Sequence, residues 1–228
     1  RGAYRAMPGR SASLRAAAAI LVGSRHTLGE LPRAVRKRAI WLPENAIDPA
    51  RLPAARPPSH PGGPLRLCFV GRLVPYKGPD MALEAALPLL RSGRATLDIV
   101  GDGPLMASLR AQADAAGGAV TFHGWQEHRA ALEILARADL LAFPSIREFG
   151  GGVVLEAMAL GVVPMVVDYA GPGELVTPET GIALPLGCRA AIVAALRSAL
   201  ERAATAPETL EPQEIGRASC RERVCHRV

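Results

Sequence analysis

From Leu65 to Ala204 the chain repeats one pattern: a short apolar run, a loop, then a stretch whose apolar residues recur at helical spacing. Strand-length runs fall at Leu65–Val70, Thr96–Val100, Val120–Phe122, Leu140–Phe143 and Val163–Val167. Helical patterns at Gly78–Leu90, Pro104–Ala116, Glu127–Ala136 and Val153–Leu160 separate them. Strands alternating with helices of that length predict an α/β fold built on a Rossmann-like, doubly wound parallel sheet. Residues Ala190–Ala204 add one more amphipathic helix, and no internal repeat is present.

Upstream, Ala17–Val22 and Ala39–Leu42 read as short buried strands. Thr27–Val35 between them reads as a helix bent or ended near Pro32. Residues 53–64 (PAARPPSHPGGP) hold five prolines and two glycines, can form neither a helix nor a central strand, and read as an interdomain linker.

In a parallel sheet, ligands bind at the loops that leave the carboxyl ends of the strands. Pro144 and Ser145 end one apolar run and Val153 opens a buried helix, so Glu148–Gly152 is a strand-to-helix loop. Gly150, Gly151 and Gly152 let backbone N–H groups approach an anion without Cβ obstruction, and the helix start adds about half a positive charge. Glu148 and Glu156, eight positions apart, would flank a diphosphate docked there and accept hydrogen bonds from sugar or ribose hydroxyls. Two glutamates alone would as well be a solvated loop acid and a surface ion pair; the glycines and the place after a strand favour a site.

A second loop, Gly71–Gly78 (GRLVPYKG), leaves the first strand of the sheet and carries Arg72 and Lys77. The chain has two lysines, Lys37 and Lys77, against twenty-five arginines, so a lysine at 77 runs against the composition. Arg72 can grip a phosphate with two parallel bonds and Lys77 supplies a compact charge. Together they would stabilise negative charge growing on a nucleoside diphosphate. The plain alternative is an exposed arginine and lysine in a polar loop.

Several chemistries are disfavoured. Gly101-Asp102-Gly103-Pro104 falls short of the dinucleotide fingerprint because Met106 stands where a small residue is needed, and no P-loop motif occurs. Ser145 lacks the surroundings of a nucleophile elbow. His26, His60, His123, His128 and His226 show no metal-ligand spacing, so no metal is expected. The net charge of +6 divides into +7 over residues 1–51, −3 over 52–213 and +2 over 214–228, and aromatics make up 4%. A nucleic-acid binder would need the opposite arrangement, a basic, aromatic-studded face on the folded domain. Arg33, Arg36, Lys37 and Arg38 form a cluster that would suit anionic lipid or be a solvated face. Arg1, Arg5, Arg10 and Arg15 precede an apolar stretch, but Gly23-Ser24-Arg25-His26 continues as ordinary fold sequence, which sets a targeting peptide aside. Cys68, Cys188, Cys220 and Cys225 are scattered, Cys68 within an apolar strand, as suits a reducing compartment.

The stretch Glu148–Glu156 (EFGGGVVLE) resembles the E-x7-E signature of retaining glycosyltransferases of the GT-B fold, the large family 4 type. The segments LRLCFVGRLVPYKGPDMALEA (65–85), LDIVGDGP (97–104), VTFHGW (120–125), LEAMALGVVPMVVDYAGPGELV (155–176) and TGIALPLG (180–187) are similar to that family in the same order, within a likeness running from Ala17 to Arg202. One departure is local: the family usually reads E-G-F-G where this chain has Glu148-Phe149-Gly150-Gly151, with the spacing to Glu156 kept.

The resemblance implies the donor-binding, C-terminal half of a GT-B fold. Residues 1–52 would be a remnant of the first, acceptor-side domain, 53–64 the linker, 65–204 the donor domain and 205–228 a tail. The parent protein would move a sugar from a nucleoside diphosphate donor to an acceptor hydroxyl with retention, and the part present here would transfer none by itself. Arg72, Lys77 and the amides near Gly151 would hold the leaving diphosphate. Glu148 would face the sugar hydroxyls or a developing oxocarbenium, and Glu156 the ribose. The loops at Gly71 and Gly101 would border the nucleotide, and Trp125 would pack on the base or fill a hydrophobic edge. Glu174 matches a downstream family glutamate, read as a structural helix-start acid. No cofactor beyond the donor is expected, and no nucleic acid. The acceptor stays open between lipid-linked and polysaccharide, with a cytoplasmic location that includes the inner membrane face through the first domain. The rival classes are a nucleotide-sugar-binding module without transfer and an interaction fragment without ligand. The resemblance ends before Glu214–Val228 (EIGRASCRERVCHRV), which is similar both to an adapter sequence read as codons and to an Arg-rich family ending; a non-native, exposed tail with Cys220 and Cys225 unpaired is expected.

Overall fold

A computed structural model of the chain describes residues 9–42, 47–53, 63–148 and 150–206. The centre of the expected linker, Phe149, and the tail from residue 207 onward with Cys220 and Cys225 lie outside the described residues.

The first part is small. Helix α1 (Arg10–Ala16) leads to β1 (Ile20–Val22), then α2 (Arg25–Glu30), α3 (Arg33–Arg36) and β2 (Ala39–Trp41), with β1 and β2 paired in parallel, Ile20 opposite Ala39. The helix expected over Thr27–Val35, bent or ended near Pro32, ends at Glu30, and a second short helix starts at Arg33. Leu31 takes an extended conformation (φ −68°, ψ 145°) because the ring of Pro32 disfavours a helical residue before it. Ser24, buried, caps α2 by accepting from the Thr27 N–H at 3.0 Å. Ile20, Val22, Leu31 and Val35 bury one side of this unit, while Leu21, Ile40 and Leu42 stand half exposed on the other.

The second part holds the main core. Strands β3 (Leu65–Val70), β4 (Ala95–Val100), β5 (Val120–Gly124), β6 (Leu140–Phe143), β7 (Val163–Val167) and β8 (Ile182–Leu184) form one parallel sheet in the order β5-β4-β3-β6-β7-β8. The chain builds outward from β3 through β4 to β5, then returns to lay β6 against the other side of β3, Leu67 opposite Leu140. The strand order therefore reverses between β3 and β6, the place in a parallel sheet where ligands bind at the loops leaving the carboxyl ends of the strands. The central strands are buried on both faces, as their nearly unbroken apolar sequences require: every residue of β6 is buried. Cys68 is one of these core residues; burial, and secondarily the charge of Asp98, push its thiol pKa up, so it packs as a small apolar group.

Helix α4 (Pro79–Arg91) follows β3, α5 (Met106–Ala113) follows β4, α6 (His128–Leu135) follows β5, α7 (Gly152–Ala159) follows β6, α8 (Ala170–Leu175) follows β7 and α9 (Arg189–Thr205) closes the fold. Helix α5 is shorter than the expected Pro104–Ala116. Its start is delayed because the Leu105 N–H bonds to the Leu73 carbonyl in the neighbouring loop, and residues 114–116 tighten into a 3₁₀ turn before Gly117. Pro88 lies inside α4 and has no N–H to give the Glu84 carbonyl; Arg197 of α9 donates to that carbonyl instead, at 3.2 Å. Arg189 at the start of α9 bonds Asp80 and Glu84 of α4 at 2.8 and 2.7 Å, and these bonds raise its pKa. Charged residues thus fasten the last helix over α4 while Ile192, Val193, Leu196 and Leu200 bury its inner face. Among the described residues no helix is long and apolar enough to cross a membrane.

Candidate functional site

The loop after β3 is held from three sides. Its Gly71 N–H bonds the Val100 carbonyl at 2.9 Å, its Leu73 N–H bonds the Asp102 carbonyl at 2.9 Å, and its Tyr76 carbonyl accepts from the Ile146 N–H at 2.9 Å and the buried Ser145 hydroxyl at 3.3 Å. The loops after β3, β4 and β6 therefore form one hydrogen-bonded rim at the carboxyl edge of the sheet. Gly101 makes the closest approach in it. With φ at +135°, a Cβ at this position would lie 2.0 Å from the Gly71 carbonyl oxygen. Replacing Gly101 with alanine forces strain and a backbone clash together and is expected to cost about 3 kcal/mol. Chemical denaturation of the variant checks this, and an unchanged midpoint would mean that the two loops are not in contact.

Lys77 and Glu148 meet across this rim. The Lys77 ammonium donates to Glu148 Oε2, with the two side chains 17% and 18% exposed, and it also stands 5.3 Å above the centre of the Phe143 ring. The two residues, 71 positions apart, come together because β3 and β6 are adjacent and both loops leave at the same edge. The family resemblance assigns one to a phosphate and the other to a sugar; that they bond each other is visible only in the folded chain. Arg72 is exposed; its carbonyl accepts from the Val74 N–H at 2.9 Å, and its guanidinium has no hydrogen-bond or ion-pair partner among the described residues.

Gly151 has a left-handed conformation (φ +74°) and stands as the residue before α7, which no side chain caps. Its own carbonyl accepts from Val154 at 2.9 Å and Leu155 at 3.4 Å. The N–H groups of Gly152 and Val153 precede any intrahelical acceptor and open toward the loop. Pro172, in α8, lies 3.1 Å from where a Cβ of Gly151 would be, so the loop after β7 backs the glycines. Gly150 is half-buried beside them.

Glu156, five residues into α7, is not solvated: its Oε1 bonds His128 Nε2 at 2.7 Å, with side chains 22% and 63% exposed. His128 opens α6 directly after the Trp125–Glu127 loop. Nothing in the local sequence links it to Glu156; the two meet because α6 and α7 both start from loops at the carboxyl edge of the sheet. Among the described residues no group of three histidine, cysteine, aspartate or glutamate side chains could hold a metal ion. The loop of Gly101 bonds the Gly124 carbonyl at 2.8 Å, which ties the Trp125 loop to the same rim. Trp125 is 69% exposed.

Glu174 is a helix-start acid, but for a helix of the other part. Near the end of α8, its two carboxylate oxygens accept the Arg25 and His26 N–H groups of α2, each at 2.9 Å. His26 also meets Tyr169 edge to face at 4.5 Å, so this contact joins the small β1–β2 unit to the loop after β7. In the basic cluster, Arg36 donates to the Gly29 and Leu31 carbonyls and Arg38 to those of Arg15 and Ala17. Arg33 and Lys37 stand exposed beside them.

Residues 64–202 match the family model described as glycosyl transferases group 1. Over 173 residues, 73% of this chain and 41% of the relative, the sequence is 39% identical to a glycogen synthase of Mycobacterium tuberculosis. Over 121 residues, 49% of this chain and 31% of the relative, it is 39% identical to a GDP-mannose-dependent monoacylated alpha-(1-6)-phosphatidylinositol monomannoside mannosyltransferase of Corynebacterium glutamicum. The chain thus spans less than half the length of these curated relatives. The fold is similar to that of the Anabaena protein HepE, crystallised with UDP and glucose, with a TM-score of 0.67 and 19% identity over 94% of this chain and 64% of that one.

Proposed function

The chain belongs to the group 1 glycosyl transferases, and from that premise we propose that it is the donor-binding half of a retaining, family 4 type enzyme acting on a nucleoside diphosphate sugar. The observation that carries this reading is the pairing of Lys77 with Glu148 at the point where strand order reverses, beside an uncapped, glycine-lined helix start. A cation, a carboxylate and open amides in one crevice suit a ligand that joins a diphosphate to a polyol. Neither a bare phosphate nor a bare sugar needs all three.

In this reading the diphosphate enters between the loops after β3 and β6, where Lys77, Arg72 and the Gly152 and Val153 N–H groups neutralise the charge that grows on it as the sugar C1–O bond breaks. Lys77 exchanges Glu148 for a phosphate oxygen. Glu148, released, faces the sugar and stabilises positive charge developing at its ring, while Glu156 accepts from the ribose and exposed Trp125 offers a stacking surface to the base. The acceptor hydroxyl approaches from the side of the β1–β2 unit, which Glu174 fastens to the loop after β7. The names of the two relatives span a polysaccharide and a lipid-linked acceptor, so either suits the parent protein. The reading places the protein in the cytoplasm, with contact to the inner membrane face made through the first domain.

Titration calorimetry with UDP, GDP and ADP tests this reading. One of the three is expected to bind saturably, and Glu156→Gln to weaken it by roughly tenfold through loss of a charge-assisted hydrogen bond. Heat of binding from none of the three would overturn the donor-site reading.

A further inference from the structure

Glu156 does not stand alone at the place where a ribose would lie, and its partner comes from a different loop. We propose, on the basis of the donor-site reading above, that His128 is a positioning residue that sets which hydroxyls of the nucleoside Glu156 accepts. The carboxylate has two oxygens, each with two acceptor directions. His128 Nε2 lies 2.7 Å from Oε1 and, carrying a proton, donates to it, so one acceptor direction of Oε1 is taken before a ligand arrives while Oε2 keeps both of its own. The two oxygens therefore meet the ribose hydroxyls unequally, with three of the four acceptor directions open and the orientation of the carboxylate set by His128.

The position of His128 makes this more than a surface ion pair. It is the first residue of α6, three residues beyond Trp125, and Glu156 is on α7, so the bond links the loop that would carry the base to the helix that would carry the ribose. The neighbouring cation does not compete for Glu156: Arg129 bonds Glu133 at 3.3 Å. A glutamate held in one rotamer before the ligand arrives loses less freedom on binding than a free one, which favours affinity. His128 itself is 63% exposed, so its removal leaves the core untouched.

The test uses the 228-residue chain, the ribonucleoside diphosphate that binds it best among UDP, GDP and ADP, the 2′-deoxy and 3′-deoxy forms of that nucleotide, and inorganic pyrophosphate. For His128→Ala we expect a three- to tenfold weaker ribonucleotide, a smaller penalty for removing one of the two ribose hydroxyls, and unchanged pyrophosphate binding. His128→Gln, whose amide can donate from nearly the same place as Nε2, should restore most of the discrimination. If His128→Ala keeps the parent's ratio of ribo- to deoxynucleotide affinity, or weakens pyrophosphate as much as nucleotide, the assignment is wrong while the donor site stands. If the parent binds none of the nucleotides, the donor-site reading fails and takes this assignment with it.

Discussion

Arg72→Ala combined with Lys77→Ala is expected to weaken nucleoside diphosphate binding by at least a hundredfold. Charge-assisted hydrogen bonds to a phosphate contribute about 1.5–3 kcal/mol each, and about 1.4 kcal/mol corresponds to a factor of ten. The two contributions should be unequal. Arg72 is exposed, so water screens it and its loss falls at the lower end. Lys77 is only 17% exposed and bonded to Glu148; without it, an unpaired carboxylate is left beside the place where the diphosphate docks, and repulsion adds to the lost attraction. Lys77→Ala alone should therefore cost more than Arg72→Ala alone. Calorimetry on both single variants and the double variant decides it, and parent-like affinity in the double variant would remove the diphosphate from this loop.

Glu148→Gln is expected to move binding and turnover in opposite directions. The nucleoside diphosphate must take Lys77 from Glu148, so neutralising the glutamate releases the lysine and should tighten product binding by about tenfold, near 1.4 kcal/mol for a partly buried pair. In a protein that also carries the acceptor-side half, the same change should lower kcat by on the order of a hundredfold, because a neutral amide cannot stabilise positive charge on the sugar. Glutamine still hydrogen-bonds sugar hydroxyls, so the affinity of the intact donor should change little. Equal nucleoside diphosphate affinity in the parent and in Glu148→Gln would show that the ion pair does not hold Lys77 back. A loss of affinity would place Glu148 on the nucleotide instead.

Much of this architecture is legible in the linear chain. The strands from Leu65 to Val167 can be recognised because each apolar run is long enough to cross a sheet and is bounded by residues that break it. β8 escapes notice because three residues between Gly181 and Pro185 are too few to show a pattern. α8 escapes because its sequence, AGPGEL, is rich in residues that disfavour helices; near its end Glu174 bonds α2. The helix expected to bend or end near Pro32 ends there for the reason its sequence states, the clash of the proline ring with the residue before it.

By itself, the sequence determined the α/β alternation, the parallel sheet, and the glycine- and charge-bearing loops at its carboxyl edge, because local periodicity and backbone chemistry act over a few residues. Tertiary structure alone decided the strand order and, through it, which distant side chains meet. The return of β6 to the side of β3 puts Lys77 against Glu148, and the start of α6 and α7 from the same edge of the sheet lets His128 reach Glu156. Glu174 likewise serves a helix 148 residues away from it in sequence. Such pairings arise from burying apolar faces across the whole sheet, a collective requirement that fixes neighbours without leaving any mark at the residues it brings together.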